Sequence, residues 1–203
     1  MSFIDESYFI NEINIPTNDN NLATISQFIL RYEKEVLKSL LGYELYTALI
    51  ADLDNYGTPQ TQRFIDLVDG KEFSFEVNGS TINTKWEGLI NEDKVSLISY
   101  YIYFNYRNQF ENVFTGVNEV QSISENSTFV SVMPRLVDTW FNFLQLYGDL
   151  PIGINQYNAN FLNNESYSYY NVEPSAYNFL LANLDDYPEW VFKPLGKLNI
   201  WGI

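Results

Sequence analysis

Apolar residues recur at steps of three and four between residues 22 and 53, and no other feature constrains the fold of this chain as strongly. Such spacing places the apolar side chains on one face of an amphipathic helix, which other parts of the protein must cover. Gly42 interrupts the pattern, and glycine commonly ends helices because it adopts positive φ angles without strain. The sequence therefore predicts two helices, on either side of Gly42, that meet in a tight corner or hairpin.

The helical spacing returns in later stretches that are bounded by proline, glycine and acidic residues. Proline favours the first turn of a helix, and glycine or acidic residues favour its end. The predicted helices cover residues 59–69, 94–109, 134–147 and 174–184. Tyrosines surround the predicted helix at 94–109, which indicates that this helix is buried on more than one side. Residues 115–133 are predicted to form an extended or looped connection.

Residues 72–84 change to a period of two, and Asn78-Gly79 divides them. Asn-Gly suits the positive φ angles of a tight turn, so this stretch predicts a β-hairpin. A two-stranded hairpin is marginal in water by itself, and its apolar side needs a helix or a neighbouring subunit beneath it. We therefore predict a subunit interface formed by Phe73, Phe75, Val77 and Ile82.

Together these elements predict a mainly α-helical protein: a small helical bundle with one inserted β-hairpin and extended N- and C-terminal arms. Residues 1–20 contain acids but no base, and they are expected to form an irregular arm on the surface. The predicted organisation is an acidic arm at 1–20, a helical domain at 21–148 with the hairpin at 72–84, an Asn- and Tyr-rich segment with a short helix at 149–187, and an extended apolar tail at 188–203.

The chain contains no cysteine and no histidine. This excludes disulfides, thiol nucleophiles, thiolate or imidazole metal sites, and catalysis by an imidazole base. Carboxylates are the abundant candidates that are left, but Asp185-Asp186 has the position of a solvated helix end. Asp52-x-Asp54 lacks the remaining ligands of a calcium loop. The sequence therefore predicts a protein that is not an enzyme, with no catalytic, cofactor-binding or metal-binding residue and no cofactor.

Eleven Lys and Arg residues against 26 Asp and Glu residues give a net charge of -15. This argues against a protein that grips nucleic acid, because such binding depends on cations that displace phosphate counterions. No basic residue stands between Arg135 and Lys193, so that part of the chain must present an acidic surface. The first residues lack the bases of a secretory signal, and no apolar run is long enough to span a membrane. We expect a protein made and used inside a cell, without membrane contact.

The tail at 188–203 is rich in large apolar residues, and its prolines and glycines keep it extended. Burial of its side chains does not by itself offset the entropy lost in ordering the backbone, so the tail also needs backbone pairing or a preformed groove. We expect it to be mobile in an isolated subunit and ordered against another chain. The alternative is that it packs along its own domain. The predicted partner-binding residues are Trp190, Val191, Phe192, Leu195, Leu198, Ile200, Trp201 and Ile203.

Three sets of residues carry a resemblance to a known family. They are Leu40-Leu41-Gly42-Tyr43-Glu44-Leu45-Tyr46-Thr47-Ala48-Leu49-Ile50; Tyr100-Tyr101-Ile102-Tyr103 with Thr115-Gly116-Val117; and Glu125-Asn126-Ser127-Thr128 with Pro134-Arg135-Leu136-Val137-Asp138-Thr139-Trp140. Over about residues 20–145 the chain resembles the head-tail connector (adaptor) proteins of tailed phages. It is most similar to those of phages that infect Bacteroidetes, including the ring proteins of crAss-like phages.

The resemblance implies a mainly helical subunit repeated as a ring, usually a dodecamer, which docks beneath the portal protein and extends the DNA channel towards the tail. It implies a virion protein of the head-tail neck, assembled in the host cytoplasm, that contacts other neck or tail proteins, lets DNA pass its lumen without specific binding, and has no catalytic residues. A neck stopper or tail-completion protein is an alternative of the same class. An intracellular carbohydrate-binding module or carboxylate hydrolase is an alternative of another class.

Overall fold

A computed structural model describes residues 2–15, 19–77, 80–110, 112–114, 119–121, 133–148, 174–193 and 195. The described part is mainly helical. Its α-helices are α1 (Asp19–Asp52), α2 (Gln62–Asp69), α3 (Leu97–Phe110), α4 (Met133–Tyr147) and α5 (Ala176–Ala182). Its strands are β1 (Lys71–Val77), β2 (Ser80–Trp86), β3 (Asn112–Phe114) and β4 (Glu119–Gln121). Short 3-10 turns cover Glu6–Tyr8 and Asn11–Ile13.

The predicted break in the first helical stretch is confirmed. Gly42 has φ 76° and ψ 171°, which is not helical, and α1 is kinked there. A side chain at this φ would be strained, so glycine determines where the helix bends. Leu40, Leu41 and Leu45, on either side of the break, are fully buried. The kink therefore lies against the core.

Helix α3 is the central element of the bundle and packs against both α1 and α4. The consecutive residues 100–104 are all buried, which requires neighbours around the helix because successive side chains point in different directions. Aromatic rings fill the contact with α4, where Tyr101 lies 5.2 Å from Phe143 and Phe104 lies 4.7 Å from Trp140, centroid to centroid. The predicted burial of this helix on more than one side is confirmed.

The predicted hairpin is also confirmed. β1 and β2 pair antiparallel from Lys71 opposite Trp86 to Val77 opposite Ser80, which leaves two residues for the turn. At the base of the hairpin, the Trp86 indole N–H donates to the backbone oxygen of Leu67 in α2 at 2.8 Å. The Trp86 ring stacks on Phe179 of α5 at 6.2 Å. The chain's own helices therefore anchor this hairpin.

A second, shorter strand pair was not predicted. β3 and β4 are antiparallel, with Val113 opposite Val120. The sequence analysis assigned β4 to a looped connection, because three residues are too few to show a period of two. Residues 115–118 and 122–132 of the predicted connection, and the Asn- and Tyr-rich residues 149–173, lie outside the described residues.

Two predicted helix starts were too early. Pro59 forms an isolated β-bridge with Leu53 instead of opening α2. Lys94 has φ 58°, and α3 begins only after Ser96, whose hydroxyl oxygen accepts a hydrogen bond from the Ile98 N–H at 3.2 Å. A serine that accepts a bond from the backbone two residues later is a typical helix cap. At α2 and α3 the proline and acid signals therefore mark the approach to the helix and not its first turn.

The expectation of an irregular surface arm at 1–20 needs correction. Four apolar side chains of the arm are buried in the core: Ile4, Phe9, Ile13 and Ile15. Their spacing matches neither a strand nor a helix, so sequence periodicity gave no sign of a buried face.

Among the described residues, no helix is both long enough and apolar enough to cross a bilayer.

A buried carboxylate holds the start of this arm. Glu33 of α1 is 6% exposed and accepts hydrogen bonds from the Ser2 hydroxyl at 2.6 Å, the Phe3 N–H at 3.0 Å and the Ile4 N–H at 3.3 Å. Burial raises the pKa of Glu33 above its ordinary value of 4.5, while these hydrogen bonds act in the opposite direction. The arm is thereby fixed to the middle of α1.

The pH dependence of stability in Glu33→Gln tests the role of the Glu33 carboxylate. Because the folded pKa is raised, the contribution of Glu33 to stability is complete below the unfolded value of about 4.5 and is lost as pH rises through the folded pKa. The stability of the wild type relative to Glu33→Gln should therefore fall as pH rises above about 4.5 in urea unfolding. Glu44→Gln, which removes an exposed carboxylate of the same helix, is the control. A wild-type minus Glu33→Gln difference that stays constant with pH would contradict the assignment.

Candidate interaction surfaces

The described part of the apolar tail lies across the kink of α1. We call residues 187–193 and 195 the C-terminal strap. Its first residue, Tyr187, is 1% exposed, and its hydroxyl donates to the backbone oxygen of Arg63 at 2.5 Å. Burial raises the pKa of this hydroxyl well above its ordinary range. The strap thus begins from a buried anchor on α2.

Trp190 fixes the strap to the break in α1. Its indole N–H donates to the backbone oxygen of Leu40 at 2.8 Å. Carbonyls in the last turn before a helix break lack partners within the helix, so the indole occupies a position that the kink opens. The backbone oxygen of Val191 would lie 3.1 Å from a Cβ atom at Gly42. Gly42 therefore permits both the bend and the close approach of the strap.

Aromatic contacts hold the next part of the strap. The Phe192 ring lies 5.5 Å from that of Tyr147 in α4 and 4.7 Å from that of Tyr177 in α5. The Tyr147 hydroxyl donates to the backbone oxygen of Lys193 at 2.8 Å. The strap thus joins α1, α4 and α5.

A salt bridge fastens the side of the strap to α2. Arg63 Nη1 lies 3.0 Å from a Glu189 carboxylate oxygen, and Nη2 lies 3.2 Å from the other. The same guanidinium donates to the backbone oxygen of Asp186 at 3.0 Å. The Arg63 hydrogen bond lowers the pKa of Glu189 below its ordinary value. Because two nitrogens of Arg63 contact two oxygens of Glu189, the pair fixes the orientation of the Glu189 carboxylate as well as its distance.

For residues 188–193 and 195, these contacts favour the alternative that the tail packs along its own domain. The groove that the tail requires is present in the same chain, where Trp190, Phe192 and Leu195 pack against the core. Val191 is 68% exposed, so of the predicted partner-binding residues that are described it is the one that offers most surface to another chain. The other predicted residues, Leu198, Ile200, Trp201 and Ile203, lie outside the described residues, and their role stays a prediction.

The predicted hairpin interface also changes. Phe73 is 8% exposed and packs against Phe179 of α5 at 5.6 Å, edge to face. Its ring therefore covers the chain's own helix and is not available to a neighbouring subunit, which corrects that assignment. The side chains of Phe75, Val77 and Ile82 lie outside the described residues.

The sequence analysis missed an exposed aromatic residue at the kink. Tyr43 follows Gly42 directly and is 73% exposed. The strap backbone at Val191 lies against Gly42, so two large exposed side chains flank the bend. In the sequence, Tyr43 is only one member of the string at 40–50, and the structure places it at the surface beside the kink. These two side chains form a candidate contact point for a partner.

The carboxylates considered for calcium have local structural roles. Asp52 accepts hydrogen bonds from the N–H groups of Gln60 at 2.8 Å and Thr61 at 2.9 Å. Asp54 accepts from the N–H groups of Tyr56 at 2.8 Å and Thr58 at 2.9 Å. Both shape the loop between α1 and α2. Within the described part of the chain, no three Asp or Glu side chains are grouped as a metal site.

Comparison of the chain with protein families, curated proteins and solved structures gives no match. The functional interpretation therefore depends on the residues of this chain and on the resemblance described above.

Trp190→Phe tests the strap's attachment to the kink. The substitution retains a ring but leaves the Leu40 oxygen without its donor, so we expect a loss of about 1–3 kcal/mol in the free energy of unfolding. Val191→Ala, at the exposed neighbouring position, is the matched control and should change stability by less than about 0.5 kcal/mol. Equal urea midpoints for the two variants would show that the indole bond does not hold the strap.

Glu189→Gln tests the salt bridge through pH. Because Arg63 lowers the folded pKa of Glu189, its contribution to stability is present above the unfolded value of 4.5 and is lost as pH falls through the folded pKa. The pair is partly exposed, so we expect the wild type to be more stable than Glu189→Gln by about 1 kcal/mol or less near pH 7. Near pH 3 this difference should shrink. Thermal unfolding at both values is the measurement, and a difference that grew on acidification would contradict the pairing.

Proposed function

We propose that this protein is a structural virion protein of a tailed phage, a head-tail connector ring that docks on the portal protein and extends the DNA channel towards the tail. The observation that carries the proposal is the position of the most continuous resembling string. Residues 40–50 form the kink of α1 and the support for the strap, and Leu40, Leu45 and Leu49 are fully buried. The resemblance therefore falls on residues that build the body of the subunit.

The charge of the chain supports the same proposal. Each copy carries a net charge of -15, so a closed ring of copies would present many negative charges around a central channel. Duplex DNA can move through such a channel without adhering, because the cationic phosphate contacts that hold DNA are scarce. In this proposal DNA passes without specific binding, and the protein performs no catalysis.

The partners follow from the proposed position. The ring contacts the portal above and other neck or tail proteins below, and each copy contacts two neighbours through a heterologous interface that closes. The exposed Tyr43 and Val191 at the kink are the described apolar groups that we assign to such contacts. Assembly takes place in the host cytoplasm, before the ring is part of the virion.

Native mass spectrometry of the full chain, alone and with the portal protein of the same phage, tests the proposal. We expect a closed ring of about twelve copies that associates with the portal. We also expect no retention of a labelled DNA duplex in a gel-shift assay. Tyr43→Ser should weaken ring formation or portal association, while Tyr56→Ser, which removes an exposed tyrosine from the loop after α1, is the matched control.

A chain that stays monomeric at high concentration, ignores the portal and binds glycans would contradict the proposal. That result would favour a carbohydrate-binding module instead.

A further inference from the structure

One face of α1 carries three exposed cations without a carboxylate partner among the described residues. Arg31, Lys34 and Lys38 follow one another at steps of three and four, which places them along one side of the helix. We call them the basic stripe. The ion pairs that the described residues form all involve other cations. In a chain with only 11 basic residues, this is a concentrated positive surface.

The carboxylates next to the stripe in sequence have other hydrogen-bond partners. Glu33 is buried beneath the N-terminal arm. Glu35 accepts a hydrogen bond from the Tyr101 hydroxyl of α3 at 2.6 Å. The Lys38 ammonium lies 5.5 Å from the centre of the Tyr46 ring, which orients the cation but leaves its charge uncompensated. The stripe therefore keeps its positive charge.

The stripe also has an apolar component. Leu30 is 63% exposed and stands four residues before Lys34, so it lies in the same row. A surface that combines exposed leucine with unpaired cations can bury apolar area and form ion pairs in one contact. This combination favours a protein partner with an acidic surface.

The chain itself presents such a surface at another place. The N-terminal arm and the turn before α3 are joined by a hydrogen bond from the Asn91 N–H to the Tyr8 hydroxyl oxygen at 3.3 Å. Four exposed carboxylates lie on these two segments, and we call them the acidic edge: Asp5, Glu12, Glu92 and Asp93. Lys94 adjoins Asp5. It contributes one positive charge against the four negative charges of the edge, which therefore stays negative overall.

We propose that the basic stripe of one copy docks on the acidic edge of a second copy. Two stripes facing each other would repel, and so would two acidic edges, so a symmetric contact through either surface is unfavourable. Docking of a stripe on an edge is a heterologous contact. In a pair of copies it leaves one stripe and one edge free, so further copies can add until a ring closes. The inference rests on the proposed function, since it names the subunit contact of the ring.

Charge-reversed chains test the inference by sedimentation velocity at fixed ionic strength. Lys34→Glu/Lys38→Glu reverses two charges of the stripe. Arg135→Glu/Lys193→Glu reverses two exposed cations outside it and has the same net charge, so it controls for general repulsion between copies. Lys34→Glu/Lys38→Glu/Glu92→Lys/Asp93→Lys exchanges charges on both surfaces. Circular dichroism spectra check that each chain is folded.

We expect Lys34→Glu/Lys38→Glu to raise the dissociation constant for self-association at least about tenfold relative to the matched control. The fourfold variant should recover most of that loss, because its stripe has a net negative charge and its edge, together with Lys94, a net positive one. Full assembly of Lys34→Glu/Lys38→Glu, or no recovery in the fourfold variant, would overturn the inference while leaving the ring proposal intact. A wild-type chain that never self-associates would overturn both.

Nucleic acid is the other polyanion that such a stripe can meet. A labelled 30-base-pair duplex is therefore added to the wild type and to Lys34→Glu/Lys38→Glu. We expect neither to bind it. Binding by the wild type that is lost in the variant would assign the stripe to phosphates and overturn the docking proposal.

Discussion

The break in α1 at Gly42 is the constraint on which the rest of the structure depends. A helix that continued straight through this position would keep the Leu40 oxygen within its own hydrogen bonds and would leave no approach for the strap backbone. The bend opens that oxygen to the Trp190 indole, and the missing side chain at Gly42 admits Val191. Through Trp190 and Phe192 the bend then determines how α4 and α5 are joined to α1.

The strap and the N-terminal arm have the same construction. Each is an irregular segment that is held to the helices by polar contacts and by several apolar contacts. Glu33 receives the backbone N–H groups of the arm, while Arg63 and Tyr187 fix the strap to α2. Glu33 lies on α1 and Arg63 lies on α2, so helices hold both segments. The two ends of the described chain are therefore parts of the core, even though neither end is regular secondary structure.

Sequence periodicity predicted the regular elements well and the irregular ones poorly. The hairpin, the break at Gly42 and the all-round burial of α3 follow from local patterns that persist over many residues. The buried side chains of the arm, such as Ile4 and Phe9, have no period, and their burial depends on a groove that distant helices form. The same is true of Trp190, whose partner stands 150 residues earlier in the chain. Contacts of this range leave no local signal.

For the candidate surfaces too, the sequence shows the local spacing, and only the structure shows the contacts between distant residues. The spacing of Arg31, Lys34 and Lys38 is visible in the sequence, but only the structure shows that Glu33 accepts hydrogen bonds from the arm and Glu35 from Tyr101. The acidic edge joins the arm to the turn before α3 through the contact of Tyr8 with Asn91, residues that are far apart in sequence. A net charge of -15 gives no indication of this separation into a positive and a negative surface.

The link between Trp190 and Leu40 also sets the order in which the subunit is completed during translation. Helix α1 leaves the ribosome early, yet the residue that caps its bend is made 150 positions later. Contacts over such a distance form late, because the intervening chain must first be brought together. A nascent subunit therefore carries an open bend, with the Leu40 oxygen uncovered, until Trp190 has been synthesised. This timing would keep unfinished chains out of any assembly that recognises the closed bend.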